Sequence, residues 1–215
     1  MATSIDTLLK FVLPYLPGCP ENLAIDALRS AAVRLCEDSL IWRYNITPID
    51  VVTGTDEYTI NPPSKSSIIA PITIQYDGQD VPLPIRTEEW LDIHDSGWRL
   101  GKDGQPTAVV MLAPEIIKLN RKPEKDITGG LVPRVALKPT DSADTIDDIL
   151  ATHWKKALRF GALNELYEIP GKKWSDAERA EHYGNLFNFE VQRARAVANK
   201  GFSRSDIAVK MRRWV

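Results

Sequence analysis

The sequence predicts an α+β protein: a helical bundle from N- and C-terminal helices, with an inserted antiparallel β sandwich or barrel domain. Ten of the fifteen prolines and seven of the twelve glycines lie within residues 54–139. Proline clashes inside helices and lacks a backbone donor, so this part cannot be a helical bundle. The flanking parts show the apolar spacing of helices. The predicted segments are N-terminal helices at 1–44, the β domain at 45–140, a C-terminal helical hairpin at 141–200 and a basic arm at 201–215.

Two helices are predicted in the N-terminal segment. Thr3 or Ser4 can cap a short helix that Pro14 ends. Pro20 suits the first turn of a second helix, which we expect to run to about Tyr44. Their apolar faces consist of Ile5, Leu8, Leu9 and Val12 in the first helix, and of Ala24, Leu28, Ala31 and Leu35 in the second.

The central segment alternates apolar and polar residues as strands do. Asp77-Gly78 lies between two such runs and predicts a β-hairpin. The runs contain Ile72, Ile74 and Tyr76 before the turn, and Val81, Leu83 and Ile85 after it. Pro82 and Pro84 place the second run at a sheet edge or a bulge, because proline donates no ladder hydrogen bond. Further short strands, for six to eight in all, are predicted at Val51-Val52, Tyr58/Ile60, Val109/Met111, Ile117/Leu119 and Val135/Leu137.

Two more helices are predicted after residue 140. Four aspartates favour the positive N-terminal end of a helix that runs to about Tyr167. These aspartates are Asp141, Asp144, Asp147 and Asp148. Pro170-Gly171 breaks this helix, and Ser175 with Glu178 fits a capping box at the start of the last one.

The last helix carries a stripe of mostly small residues with a regular 3-4 spacing, which is typical of helices packed at a shallow angle. The stripe consists of Ala177, Ala180, Gly184, Phe187, Val191, Ala194 and Ala198. Small residues let a partner backbone approach closely. Ala157 and Gly161 on the preceding helix offer a matching surface, so the two helices are predicted to form an antiparallel hairpin.

Charge is distributed unevenly along the chain. Residues 1–192 carry 20 Lys and Arg against 28 Asp and Glu, a net charge of −8. Residues 193–215 carry seven basic residues against Asp206, a net charge of +6. A basic tail on an acidic body predicts contact with an anionic partner. A solvated, disordered terminus would explain the same composition.

The composition excludes several classes of protein. With 43% hydrophobic and 26% charged residues it is typical of a soluble globular protein. The sequence has no run of 18 apolar residues, so no transmembrane helix is predicted. The first residues lack the pattern of a signal peptide. Cys19 and Cys36 are too few for a disulfide framework, which favours synthesis in a reducing cytoplasm.

Residues suited to catalysis or metal binding are few and scattered. Asp92-Ile93-His94-Asp95 is the only tight cluster of potential metal ligands in the sequence, and we interpret it as a solvated polar loop. There is no Gly-x-Ser-x-Gly elbow, and Gly101-Lys102-Asp103-Gly104 lacks the ending of a phosphate loop. We therefore predict no enzyme activity, no metal and no cofactor.

Short stretches spread from about Leu23 to Gly201 share their order and spacing with a known family. They are Tyr58-Thr59-Ile60, Pro62-Pro63, Ile72-Thr73-Ile74, Asp77-Gly78, Trp90-Leu91-Asp92, Gly97-Trp98-Arg99, Gly104-Gln105-Pro106, Trp154 to Leu163, Pro170 to Ser175 and Gln192 to Arg195. Together they resemble the head-to-tail adaptor family of short-tailed bacteriophages, also called head completion or connector proteins.

The resemblance implies a structural virion protein at the head–tail junction, made in the host bacterial cytoplasm. In that family, copies of the chain, commonly twelve, form a ring beneath the portal protein. Helices build the ring, the C-terminal segment docks on the portal, and the β domain receives a tail or nozzle protein. Double-stranded DNA passes through the lumen without sequence specificity.

The resemblance also assigns residues 202–215 as a portal-docking arm. The implied docking residues are the apolar Phe202, Ile207, Met211 and Trp214, with the basic Arg204, Lys210, Arg212 and Arg213. A frayed tail whose Trp214 packs back on its own bundle is the alternative. For the protein as a whole, a nucleic-acid-associated phage accessory or packaging factor that uses the basic tail is the second hypothesis.

Overall fold

The computed structural model describes residues 2–77 and 79–201 and confirms a mixed α+β protein with antiparallel sheets. The described residues form α1 Glu21–Ser39, α2 Glu88–His94, α3 Asp148–His153, α4 Lys155–Glu168 and α5 Ala177–Lys200. The strands are β1 Ala2–Ser4, β2 Arg43–Asn45, β3 Ile49–Val51, β4 Glu57–Thr59, β5 Ser66–Tyr76, β6 Val109–Ala113, β7 Ile116–Leu119, β8 Ile127–Pro139 and β9 Thr145–Asp147. Short 3₁₀ helices lie at Ile5–Phe11, Leu13–Tyr15 and Trp98–Leu100.

Helices α1, α4 and α5 pack against one another, and Gly161 of α4 lies where they come closest. A Cβ added at Gly161 would lie 2.7 Å from Cβ of Ala31 on α1 and 3.0 Å from the ring of Phe187 on α5. Carbon atoms of well-packed side chains do not approach to 2.7 Å. Only glycine therefore fits at this position without moving a helix.

The larger sheet is organised around β8. One edge of β8 pairs with β5, and the opposite edge pairs with β2 and then β3, so Val135 has both Tyr44 and Pro71 as neighbours. The pairing of β5 shifts register on either side of Pro71, as expected for proline within an edge strand. A second sheet has the strand order β4-β7-β6, and all of its pairs are antiparallel.

The segment after β5 joins the two sheets but forms only part of the predicted hairpin. Leu83 donates its N–H to the carbonyl of Ile74 at 2.8 Å, and residues 84–86 then exchange hydrogen bonds with Val109 of β6. Two prolines in this segment prevent a continuous ladder. Val81 is therefore 74% exposed instead of facing the core.

Both N-terminal helices differ from the prediction. The first is a 3₁₀ helix, Ile5–Phe11, and Pro14 lies inside the next 3₁₀ turn instead of ending the first. Helix α1 ends at Ser39 and not near Tyr44. Leu40 adopts a left-handed conformation, φ 53°, and the chain then leaves the helix to pair with β8 as β2.

The predicted helix starts in the C-terminal segment are also displaced. Thr145–Asp147 forms β9, which pairs with β1 and so joins the N-terminal residues to the segment just before α3. Asp147 caps α3 by accepting the N–H of Ile149 at 2.9 Å. The cap of α5 is Asp176 and not Ser175, because the Asp176 carboxylate accepts the N–H of Arg179 at 3.0 Å.

One hydrophobic core runs through both the helices and the sheets. It extends from Ile5 through α1 and β8 to Ala198 near the end of α5. A separate small cluster lies beneath α2 and consists of Leu91, Trp98, Ala108 and Val110, with Trp90 packed against it. The helical layer and the sheets are thus held together by shared apolar burial, whereas α2 has a core of its own.

We predict that Gly161→Ala lowers the free energy of unfolding by about 1–2 kcal/mol, although alanine is the better helix former. The added methyl group would collide with Ala31 on a neighbouring helix. Urea unfolding followed by circular dichroism measures the change. In a double-mutant cycle, Ala31→Gly should reduce the cost of Gly161→Ala. Equal or greater stability of the single variant would contradict the proposed close contact.

Candidate functional site

The residues implied to dock on the portal lie outside the described residues. They are Phe202, Arg204, Ile207, Lys210, Met211, Arg212, Arg213 and Trp214. The described chain leads up to them through α5, which ends at Lys200. Gly201 follows with φ 71°, a left-handed value that favours glycine and turns the chain out of the helix. The base of the arm is therefore a helix end that is anchored in the core at Ala198.

The predicted small-residue stripe of α5 is buried over most of its length. The buried members are Ala180, Phe187, Val191, Ala194 and Ala198 on α5, with Ala157 and Gly161 on α4. Ala177 is exposed because it is the first residue of α5, so it lies outside the packed part of the stripe. Gly184 is half-buried, and a Cβ there would lie 3.1 Å from the side-chain nitrogen of Asn164.

A buried asparagine, Asn164, connects the three packed helices. Its side-chain amide donates to the carbonyl of Ala180 at 3.1 Å and to Glu168 at 2.8 Å. Its carbonyl accepts from Arg34 of α1 at 3.4 Å, and the Arg34 guanidinium also lies 4.9 Å from the centroid of the Phe187 ring. A polar side chain paired on all sides fixes the relative positions of the helices more narrowly than apolar contact does. Asn164 was not predicted from the sequence, because a single asparagine within a helix gives no periodic signal.

The outer face of α5 carries an exposed stripe without charge. It consists of Asn185, Phe189, Gln192 and Ala196, spaced by four, three and four residues so that they lie on one side of the helix. Phe189 is 68% exposed, which is unusual for a phenylalanine outside an interface. Interface centres are depleted in charge and enriched in aromatic residues. We call this set the α5 stripe and regard it as a candidate protein contact.

A second exposed region, formed by α2 and the 3₁₀ helix Trp98–Leu100, is held together by Asp92. The Asp92 carboxylate accepts from Nε1 of Trp98 at 2.8 Å and from Nε and Nη2 of Arg99, both at 2.9 Å. Arg99 also pairs with Glu88 at 3.0 Å. The hydrogen bonds from Arg99 and then Trp98 hold the pKa of the Asp92 carboxyl below its ordinary value.

Asn120 connects this region to β7. Its Oδ1 accepts the backbone N–H groups of Thr107 and Ala108 at 2.9 and 3.0 Å, and its Nδ2 donates to Asp95 at 2.9 Å and to the hydroxyl of Thr107 at 3.0 Å. The side chain of Asn120 is thus fully paired although the residue is buried. Asn120 therefore joins the end of α2, through Asp95, to the chain that leads into β6.

The sequence cluster at residues 92–95 does not converge on one point. Asp92 is engaged by Trp98 and Arg99, Asp95 is engaged by Asn120, and the His94 ring stacks on Trp90. Among residues 2–77 and 79–201, no group of three or more His, Cys, Asp or Glu is placed to hold a metal ion. Over the same residues, no helix is both long and apolar enough to cross a membrane.

Both cysteines are free thiols. Cys36 is buried in α1, and burial raises the pKa of its thiol. Cys19 lies in the turn before α1 and is partly buried, and burial raises the pKa of its thiol as well. Raised thiol pKa values favour the unreactive protonated form.

Comparisons with known proteins give no identification. No protein-family model matches the chain, and no curated protein matches its sequence. Function must therefore be argued from the surfaces described above.

We predict that Asp92→Asn lowers the melting temperature at about pH 7, because Trp98 and Arg99 lose a charged acceptor. A carboxyl whose pKa is lowered by folding stabilises the protein above its unfolded value of about 3.9, and this contribution is lost as the pH falls through the folded value. The gap between wild type and variant should therefore narrow below about pH 4. Thermal unfolding across this range tests the effect, with Asp80→Asn, an exposed change outside this cluster, as control. Equal melting temperatures at neutral pH would contradict it.

Proposed function

We propose that this protein is a structural virion protein, a head-to-tail adaptor of a short-tailed bacteriophage. In this role it forms a ring under the portal, commonly of twelve copies, and joins the portal to the tail or nozzle at the head–tail junction. Double-stranded DNA passes through the lumen of the ring. The resemblance in sequence suggests the role, and the described surfaces supply the physical support for it.

The observation on which this proposal chiefly rests is the placement of the α5 stripe. A ring requires a surface on each copy that contacts its neighbour without charge repulsion. An exposed phenylalanine among amide and alanine side chains meets that requirement. Under the proposal, α1, α4 and α5 form the helical bundle of the ring, and the two larger sheets, joined through residues 83–86, form the inserted barrel-like domain that faces the tail.

The uneven charge supports a head-to-tail arrangement. Residues 1–192 carry a net charge of −8, and the segment that follows carries +6. Unlike charges on two parts of one chain favour contacts between unlike surfaces of neighbouring copies or partners. Residues 202–215 include Arg204, Lys210, Arg212 and Arg213, which are suited to an acidic portal surface.

Deleting residues 203–215 should abolish co-sedimentation with the portal encoded in the same genome. Helical circular dichroism should stay almost unchanged, because every described helix ends before residue 201. Retained portal binding would exclude the arm as the docking element. Binding to DNA that weakens steeply with salt, without portal binding, would instead favour an accessory or packaging factor.

Phe189→Glu should prevent ring formation on the portal while changing the free energy of unfolding by less than about 0.5 kcal/mol, since the ring of Phe189 is mostly exposed. Particle imaging of the portal complex is the measurement. Val81→Glu makes the same apolar-to-acidic change at a residue that is 74% exposed in the β region, and it should leave the ring intact. Intact rings with Phe189→Glu would remove the α5 stripe from the subunit contact.

A further inference from the structure

A polar cavity of about 230 Å³ lies beside α2, at the junction with β6 and β7. Its lining includes Arg86, Trp90, His94, Asp95 and Arg121. These residues are spread over 36 positions of the sequence and form no motif. The fold alone brings them together.

The wall nearest α2 is a stack of one cation and two aromatic rings. The guanidinium of Arg86 lies 4.4 Å from the centroid of the Trp90 ring, and the His94 ring stacks on the same indole at 4.2 Å with an interplanar angle of 6°. Trp90 thus contacts both the guanidinium of Arg86 and the ring of His94. His94 is also fixed by a hydrogen bond from Nδ1 to the carbonyl of Trp90 at 2.9 Å. The stack therefore orders Arg86 before any ligand arrives.

The two arginines of the cavity are not neutralised by the protein. Within the part of the chain that the structure describes, neither Arg86 nor Arg121 has a carboxylate within ion-pairing distance. The Nε–H of Arg121 is enclosed and has no acceptor. Asp95 is the one acidic residue of the lining, and it is already engaged by Asn120. An enclosed donor without an acceptor is unfavourable, so the Arg121 guanidinium is held here without a protein partner for its charge or for this N–H.

We propose that this cavity binds a single carboxylate, carried by an acidic side chain of a partner protein. The planar guanidinium group matches a carboxylate with two parallel hydrogen bonds, and neither Arg86 nor Arg121 has such a carboxylate from the described protein. Arg86 and Arg121 are opposed by one carboxylate, Asp95, so these three groups leave the lining with one net positive charge. That charge suits one carboxylate.

The surroundings of the cavity favour a protein over a nucleic acid. The helix that carries Trp90 also presents Glu88, Glu89 and Asp92, of which Arg99 pairs with Glu88 and Asp92. A nucleic acid would bring a run of phosphates past these carboxylates, whereas an acidic side chain brings a single charge. Ile93 lies one turn from Trp90 and is 70% exposed. A charged pocket beside an exposed apolar residue is typical of the energetic centre of a protein interface. The inference stands independently of the adaptor role, because it concerns the chemistry of the cavity and not the identity of the partner.

Titration of the full-length protein with N-acetyl-glutamate α-amide tests the proposal. Nuclear magnetic resonance of the Arg121 Nε–H and the Trp90 indole N–H reports on both sides of the cavity. We expect saturable shifts of both signals. The matched probe N-acetyl-glutamine α-amide, inorganic phosphate and a short oligothymidylate should bind at least ten-fold more weakly. No saturable shift, or tighter binding of phosphate or of the oligothymidylate, would overturn the proposal.

Two variants distinguish binding at this cavity from attraction of the probe to the overall charge of the protein. Arg121→Gln and Arg86→Gln should each weaken glutamate binding about ten-fold, as expected for the loss of a charged hydrogen bond. Arg86 is exposed and stacks only on Trp90. Arg86→Gln should therefore leave the fold intact even if Arg121→Gln does not. Arg195→Gln removes the same charge from the exposed face of α5 and should leave binding unchanged. Equal weakening by Arg86→Gln and Arg195→Gln would show that only net charge matters and would overturn the site.

Discussion

The close approach of three helices at Gly161 is the constraint on which the rest of the structure depends. With Ala31 on one side and Phe187 on the other, α4 has room for no side chain at this point. The helices are consequently held at a separation set by backbone and small residues, and the larger side chains of the core pack around that separation. Asn164, one turn along α4, adds hydrogen bonds to both neighbours, so the helices cannot slide without leaving buried polar groups unpaired.

This arrangement determines where the candidate contact surface of α5 lies. Because α5 turns Phe187 and Ala194 inwards, residues about half a turn around the helix face outwards, and Phe189 is among them. The exposed α5 stripe thus lies on the side of the helix opposite to the buried stripe. The same helix carries the chain from the core to Gly201.

Regular elements were predictable from the sequence, and contacts between distant residues were not. The period of α5 and the alternation in β6, β7 and β8 follow from local packing on one face, so most of these positions were located correctly. The pairing of β1 with β9 joins residues more than 140 positions apart and leaves no local pattern. The predicted end of α1 was wrong for a related reason. Arg43–Asn45 follows the helix closely but pairs with the edge of β8, a strand that is distant in sequence. The buried small-residue positions of α5 could be predicted from their spacing, whereas the exposed α5 stripe was not predicted. The pairing of Asp92 with Trp98 and the placement of Arg86 and Arg121 around one cavity depend on tertiary structure.

The region around α2 differs from the rest of the protein in what stabilises it. Its apolar cluster has four buried members, far fewer than the main core, so burial contributes little to its local stability. Hydrogen bonds of Asp92 and Asn120 supply much of the local stability of this region. A region held in this way opens at lower free energy than the main core does, and a ligand that binds only its closed form would stabilise it in proportion to its affinity and concentration. A carboxylate that binds beside Arg86 and Arg121 would thus stabilise the closed form of this region.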